Sequence, residues 1–403
     1  MIHLVDYRNI VGDKIITDIF QKARSLYRKR IINLNSTYMG GGVAEILGSL
    51  VPLMNDIGID TGWRIIRGNS DLFDITKKFH NALQGDSIHL TEMKKNLYIR
   101  ASEEFSVYTH LNHDCVIIHD PQPLPLINYY TKQQPWIWRC HIDISHPNEK
   151  LWEFLKGFIL KYDQVVVSNK SYRKKNVFVK QNVIPPVIDP ISPKNKDLSD
   201  KDIHKFLKKF KIPTDKPIIT QISRFDKWKD PEGVIRIFKM VRKKVDCRLV
   251  LCGSMATDDP EGIKIFRRVM RYANHLVDKG DIILITSENN ILVNTLQRYS
   301  DVIIQKSLRE GFGLVVSEAL WKNAAVVASN VGGIPLQVID NETGFIVEPK
   351  DEEMFAERIV QLLKDRKTAE ELGKAGKEHV RKNFLITRLV SDYLDMIKEL
   401  LNT

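Results

Sequence analysis

The sequence predicts an α/β protein built from two doubly wound, parallel-sheet domains. Three observations lead there. Apolar runs of strand length alternate with stretches of helical period along the chain. A proline-rich break at 183–200, holding Pro185, Pro186, Pro190 and Pro193, separates two such alternating regions. The 403 residues also exceed the roughly 250–300 at which single cores stop growing.

The elements follow in order. An apolar strip at 2–7 leads into an amphipathic helix at 14–27. Residues 30–35 are an apolar run that enters Ser36-Thr37-Tyr38-Met39-Gly40-Gly41-Gly42, after which Val43, Ile46, Leu47 and Leu50 recur at helical spacing. This is strand, glycine loop, helix. Further strands are expected at 61–66, 115–119, 136–140 and 164–168. Proline lacks an amide donor and fixes φ, so the stretch that follows reads as a hinge. Beyond it, strands are expected at 217–223, 247–253, 282–286, 302–305 and 325–329, and closing helices at 352–364, 369–383 and 389–401. The expected domains are 1–184 and 216–385, joined by a linker at 185–215. A terminal helix within 386–403 is expected to pack back on the first.

Composition narrows the function classes. With 43% hydrophobic and 28% charged residues the chain is globular, which excludes disordered, collagen-like and disulfide-scaffold proteins. Lys and Arg exceed Asp and Glu by 61 to 50, a net charge of +11. Nucleic acid, an anionic membrane surface, a phosphate-bearing small molecule or a solvated Lys-rich surface would each fit that balance. Basic residues alternate with acidic ones, with no aromatic stacking motif or recognition-helix pattern, which argues against nucleic acid. No apolar run reaches the roughly 18–20 residues of a membrane span, and the first thirty residues lack a signal-peptide core. The expectation is a cytoplasmic protein with no membrane attachment. Cys115, Cys140, Cys247 and Cys252 form no CxxC pair and read as reduced, buried thiols.

Several segments carry chemistry. Gly40-Gly41-Gly42 sits where a strand gives way to a helix, so its amides and the helix N-terminus favour a phosphate or a sugar hydroxyl. A plain tight turn fits it equally well. Arg224 and Lys229 lie five residues apart after the first strand of the second domain, where open α/β sheets bind ligands. They suit a diphosphate clamp, against the alternative of solvent-facing charge. In Glu310-Gly311-Phe312-Gly313-Leu314-Val315-Val316-Ser317-Glu318 two carboxylates flank a glycine loop and helix start. Glu310 can accept sugar hydroxyls, Glu318 the vicinal hydroxyls of a ribose, and the amides of Phe312, Gly313, Leu314 and Val315 a phosphate. A glycosidase pair ranks lower, and a capping Glu plus a surface Glu is the bland reading. Asn330-Val331-Gly332-Gly333-Ile334-Pro335 reads as a turn carrying the next helix, with a backbone contact to the nucleotide as its functional alternative. His119, Asp120, His141 and Asp143 end strands and could grip a polyol. His141, Asp143 and His146 lack the further partners a metal would need.

Together these segments resemble the retaining glycosyltransferases of the two-Rossmann-domain, GT-B type. This is glycosyltransferase family 4, the large family that includes sucrose synthase and glycogen synthase. The shared marks are the Glu310 and Glu318 pair, Arg224 with Lys229, and the early glycine loop. Residues 35–45, 118–123, 138–143 and 184–190 more narrowly resemble the trehalose synthases of the glycosyltransferring kind.

The resemblance implies two domains facing across a deep cleft, and transfer of glucose from UDP-glucose or ADP-glucose to free glucose. Gly41 and Gly42 would approach the donor or acceptor, Arg224 and Lys229 neutralise the diphosphate, Glu310 hold the 3- and 4-hydroxyls of the donor glucose, and Glu318 hold the ribose. His141 would touch the transferring glucose, with Asp120 and Asp143 orienting the acceptor. No second carboxylate is placed as a covalent nucleophile, so a front-face transfer with a diphosphate leaving group is expected. The resemblance also implies no tightly bound cofactor, Mg²⁺ only as a companion of the diphosphate, and a homodimer. Trehalose phosphorylase, using glucose 1-phosphate, is the near alternative, and the shorter chain favours the synthase. A family 4 enzyme with a lipid or glycan acceptor is the other. Its best support, a basic helix at 152–161, reads better as a helix with a core-facing stripe.

Overall fold

The computed structural model of the chain describes residues 2–68, 70–253 and 260–401. It divides into two compact units, Met1–Val187 with Ile386–Thr403, and Ile188–Leu385.

The first unit holds a six-stranded sheet: β1 (Arg30–Asn35), β2 (Asp60–Ile65), β3 (Cys115–His119), β4 (Trp136–Arg139), β5 (Gln164–Val167) and β6 (Lys180–Val183). All pairings are parallel, in the order β2-β1-β3-β4-β5-β6. The winding direction reverses between β1 and β3, and such a reversal opens a crevice at the carboxyl ends of the two strands. The glycine loop leaves β1 there. Gly41 caps the Gly42–Asp56 helix at φ 108°, a backbone conformation that side-chain-bearing residues rarely adopt. The core sets Val116, Ile118, Trp136 and Trp138 of the sheet against Phe79, Tyr98, Leu155 and Phe158 of the covering helices. The Ile386–Leu401 helix packs on the Asp13–Ala23 and Gly42–Asp56 helices. It buries Leu389, Val390, Tyr393 and Ile397, and Lys22 Nζ reaches Ser391 Oγ at 2.8 Å.

The second unit repeats the plan with β7 (Ile218–Ile222), β8 (Arg248–Gly253), β9 (Ile282–Thr286), β10 (Val302–Gln305), β11 (Val326–Ser329) and β12 (Phe345–Val347). The order is β12-β11-β10-β7-β8-β9, again parallel, with the reversal between β7 and β10. Helices cover both faces, so the strands are mostly apolar rather than alternating. Leu249 and Leu251 of β8 enter a core with Val234, Phe238 and Phe355, while Val250 and Cys252 face a second one with Ile203, Leu207 and Leu296.

Most expected elements appear within one to three residues of their expected ends. The stretch 185–215 differs. It contains the Asp200–Lys209 helix, capped by Ser199 and burying Ile203 and Leu207, and from Ile188 onward it lies in the second unit. Three apolar positions, Ile203, Phe206 and Leu207, among seven polar or charged ones leave little signal beside four prolines. The edge strands β6 and β12 were not expected, the first because Lys180-Gln181-Asn182-Val183 is mostly polar, the second because it has three residues. All four cysteines are buried free thiols.

Candidate functional site

In the second unit the loops that leave β7 and β10 are stitched together. Gln221 on β7 accepts from the Lys306 amide at 2.8 Å and donates to the Lys229 carbonyl at 2.8 Å. The Leu308 amide donates to the Trp228 carbonyl at 2.7 Å. Asp226 accepts from the amides of Trp228 and Lys229, and Asp230 caps the Pro231–Arg242 helix. The Lys306 ammonium, 1% exposed, closes the frame by pairing with Asp230. Lys229 and Glu310, 81 positions apart in the chain, thus meet in an ion pair at the sheet's reversal point, with side chains 14% and 10% exposed. Gln305 Nε2 and Ser307 Oγ each approach the same carboxylate oxygen at 3.4 Å. Arg224 is not drawn in. Its side chain is 50% exposed and lies 3.4 Å from Asp226.

Beyond Glu310 the chain passes through Gly311 and buried Phe312 to Gly313, which caps the Leu314–Trp321 helix at φ 82°. Gln337 holds this turn. It donates to the Phe312 carbonyl at 2.5 Å and accepts from the Ser317 amide and hydroxyl at 2.9 and 2.6 Å. Gly333 lets the two segments touch, since a Cβ there would sit 2.6 Å from the Phe312 ring and 3.1 Å from the Gly311 carbonyl. The amides of Leu314 and Val315 lie in the first turn of that helix, whose N-terminus favours an anion. Glu318 is 2% exposed and faces inward, 3.5 Å from both Lys194 Nζ and Gln297 Nε2. One turn on, buried Lys322 donates to Asn195 Oδ1 at 2.7 Å and the Glu318 carbonyl at 2.9 Å. Burial pulls its ammonium down to about 7.

In the first unit the polar groups gather where β1, β3 and β4 end. Asp120, at φ 62°, accepts the His141 amide at 2.7 Å, and its carbonyl accepts Trp138 Nε1 at 3.0 Å. Burial pushes its carboxyl up to about 7, against the His141 hydrogen bond and the Arg139 charge. His141 Nε2 and His119 Nδ1 are 3.0 Å apart, and His119 Nε2 lies 3.1 Å from Asn33 Oδ1. Burial and Arg139 hold His119 down to about 3 and His141 well below its ordinary value. Asp143 is buried and accepts from the Ser145 amide and hydroxyl at 2.9 and 2.6 Å, which folds it into its own turn. Among the described residues no group of three or more His, Cys, Asp or Glu could hold a metal ion.

The structure therefore joins Lys229 to Glu310 and Asp120 to His141. It leaves Arg224 on the surface and draws Asp143 toward Ser145. Gln221, Lys306, Gln305, Gln337 and Asn33 are among the side chains that sequence reasoning missed. For Asn33 a signal existed, an amide in the middle of an apolar strand. For Gln337 there was none, since its role depends on two loops meeting.

The family description "Trehalose synthase, N-terminal domain" matches residues 33–174, and "Glycosyl transferases group 1" matches 202–379. A trehalose synthase of Thermococcus litoralis is 46% identical over 98% of this chain and 96% of its own. A trehalose phosphorylase of Grifola frondosa is 28% identical over 94% of this chain but 59% of its own. The solved structure of a UDP-forming α,α-trehalose-phosphate synthase from Burkholderia xenovorans superposes with a TM-score of 0.75. It is 15% identical, over 93% of this chain and 100% of that one, and shows the GT-B fold. Two parallel six-stranded sheets, two matched domains and a similarity that runs over nearly the whole chain place it in one group: it belongs to the trehalose synthase family of GT-B glycosyltransferases.

Proposed function

We propose that the chain is a retaining glucosyltransferase that makes trehalose from a nucleoside-diphosphate glucose, UDP- or ADP-glucose, and free glucose. The observation that carries this is the Lys229 and Glu310 pair at the reversal between β7 and β10, beside a helix N-terminus. A cation, a sugar-binding carboxylate and free amides together answer the diphosphate and hydroxyls of a nucleotide sugar. Lys229 and Arg224 neutralise the diphosphate, the Phe312, Gly313, Leu314 and Val315 loop holds phosphate oxygens, Glu310 takes the donor hydroxyls, and Glu318 the ribose. His141 touches the transferring glucose, Asp120 and Asp143 orient the acceptor, and Gly41 and Gly42 leave room for sugar at the amides. The leaving phosphate accepts the proton of the incoming hydroxyl, so the protein's task is to position and to stabilise charge. Mg²⁺ enters only with the diphosphate, and the working form is a cytoplasmic homodimer.

The second reading is phosphorolysis with glucose 1-phosphate, supported by the phosphorylase relative but over a smaller share of that protein. Incubation of the chain with glucose and, separately, UDP-glucose, ADP-glucose or glucose 1-phosphate tests both. Trehalose with either nucleotide sugar supports the synthase. Trehalose from glucose 1-phosphate alone supports the phosphorylase and overturns the first reading.

A further inference from the structure

Asn33 on β1 and His119 at the end of β3 are each 1% exposed and face one another across the reversal of the first sheet. Their hydrogen-bond polarity can be read from one end. The Gly62 carbonyl can only accept, and Asn33 Nδ2 lies 3.4 Å from it. A flipped Asn33 would set two carbonyl oxygens against each other, so Oδ1 is the atom that faces His119 Nε2 at 3.1 Å. Amide oxygen only accepts, hence His119 Nε2 carries the proton. Burial and Arg139 keep the ring neutral, which leaves His119 Nδ1 as a lone pair 3.0 Å from His141 Nε2. That nitrogen must then donate. Asp120 fixes the adjacent backbone by accepting the His141 amide at 2.7 Å. The remaining ring nitrogen, His141 Nδ1, has no hydrogen-bond partner among the described residues.

We propose that Asn33 and His119 are positioning residues that lock His141 in its Nε2–H tautomer, leaving Nδ1 to accept a hydrogen bond from a sugar hydroxyl. The proposal rests on the reading that His141 touches the transferring glucose, and it adds what the imidazole offers that sugar and what sets it. A backbone carbonyl of β2 anchors the polarity of the whole relay, so no proton needs to move for His141 to be ready. The relay can be reversed by one atom. In Asn33→Asp the carboxylate stabilises a cationic His119, whose Nδ1–H then donates to His141 and drives it to the Nδ1–H form.

Long-range ¹H–¹⁵N correlation spectra of the ¹⁵N-histidine-labelled full chain read the tautomers directly, with assignments from His119→Phe and His141→Asn. The expected result is Nε2–H at both His119 and His141, and a switch of His141 to Nδ1–H in Asn33→Asp. His119→Phe, which removes the acceptor at similar size, gives a mixture at His141. Both variants lower kcat for trehalose formation about 10-fold, the value of one well-placed hydrogen bond, with a smaller change in KM for glucose. A wild-type His141 in the Nδ1–H form, or in mixture, overturns the proposal. A tautomer that shifts as expected with kcat unmoved leaves the lock standing and removes the sugar contact of His141.

Discussion

Replacing Lys229 by Ala separates two effects that the ion pair combines. The first is structural. Glu310 is 9% exposed and keeps Gln305 Nε2 and Ser307 Oγ at 3.4 Å, but it loses its ion pair with the ammonium. Taking the cation from a largely buried carboxylate costs about 1–3 kcal/mol, which lowers Tm by roughly 2–12 °C in a unit of this size. Glu310→Gln in the same chain removes the buried charge and recovers most of that. The second effect is on the ligand. A charge-assisted contact to a diphosphate is worth roughly 1.5–3 kcal/mol, which is about 10- to 150-fold in affinity. Lys229→Ala should weaken calorimetric binding of UDP or ADP by that factor. Glu310→Gln, which frees Lys229 from its partner, should bind the same nucleotide as tightly or more tightly than wild type. Both single variants should lose transfer. Wild-type nucleotide affinity in a folded Lys229→Ala chain would refute the clamp and leave the pair as a structural ion pair alone.

Other outcomes follow from the same geometry. Gly333→Ala pushes a methyl group against Phe312 and the Gly311 carbonyl. It should cost about 1–3 kcal/mol in calorimetry and lower turnover more than 10-fold through displacement of the loop; unchanged turnover would show that the loop's position is not critical. Asp120 is the pH probe. Its carboxyl is raised to about 7, so the folded chain holds a proton that the unfolded chain releases near pH 4. Its contribution to stability therefore falls as pH rises from about 4 to about 7. The advantage of Asp120→Asn over wild type in urea unfolding should grow across that window. An advantage that stays flat would mean that Asp120 titrates normally. His119, held down to about 3, contributes the opposite slope below pH 6.5, so the difference between the two chains is the quantity to measure.

The sheets were legible because buried parallel strands are apolar runs bounded by turn residues. β1, β3, β9 and β10 begin and end at the expected residues. Polar β6 and short β12 were not, because edge strands need neither an apolar pattern nor length. The pairing of Lys229 with Glu310 was readable only as two motifs, and what unites them is the strand order that places β7 beside β10. Gln221 and Gln337, which fix the loops, give no local signal, since any glutamine can be a solvated one. Spacing alone did not show how Arg224 and Lys229 differ: the short helical turn Lys227–Lys229 between them turns the Lys229 side chain toward Glu310 and leaves Arg224 half exposed.

The return of the Ile386–Leu401 helix to the first unit bears on how the protein is made. Ile16, Ile19 and Ala23 of the Asp13–Ala23 helix are buried in a unit whose last helix leaves the ribosome only after the whole second unit. At about 5–20 residues per second, the roughly 360 residues between the two helices hold that apolar stripe waiting for about 20–70 s. The second unit is contiguous in sequence and can close during synthesis. The first closes only once the Ile386–Leu401 helix has emerged, so its amino-terminal helices keep their apolar stripe uncovered longer than any part of the second unit.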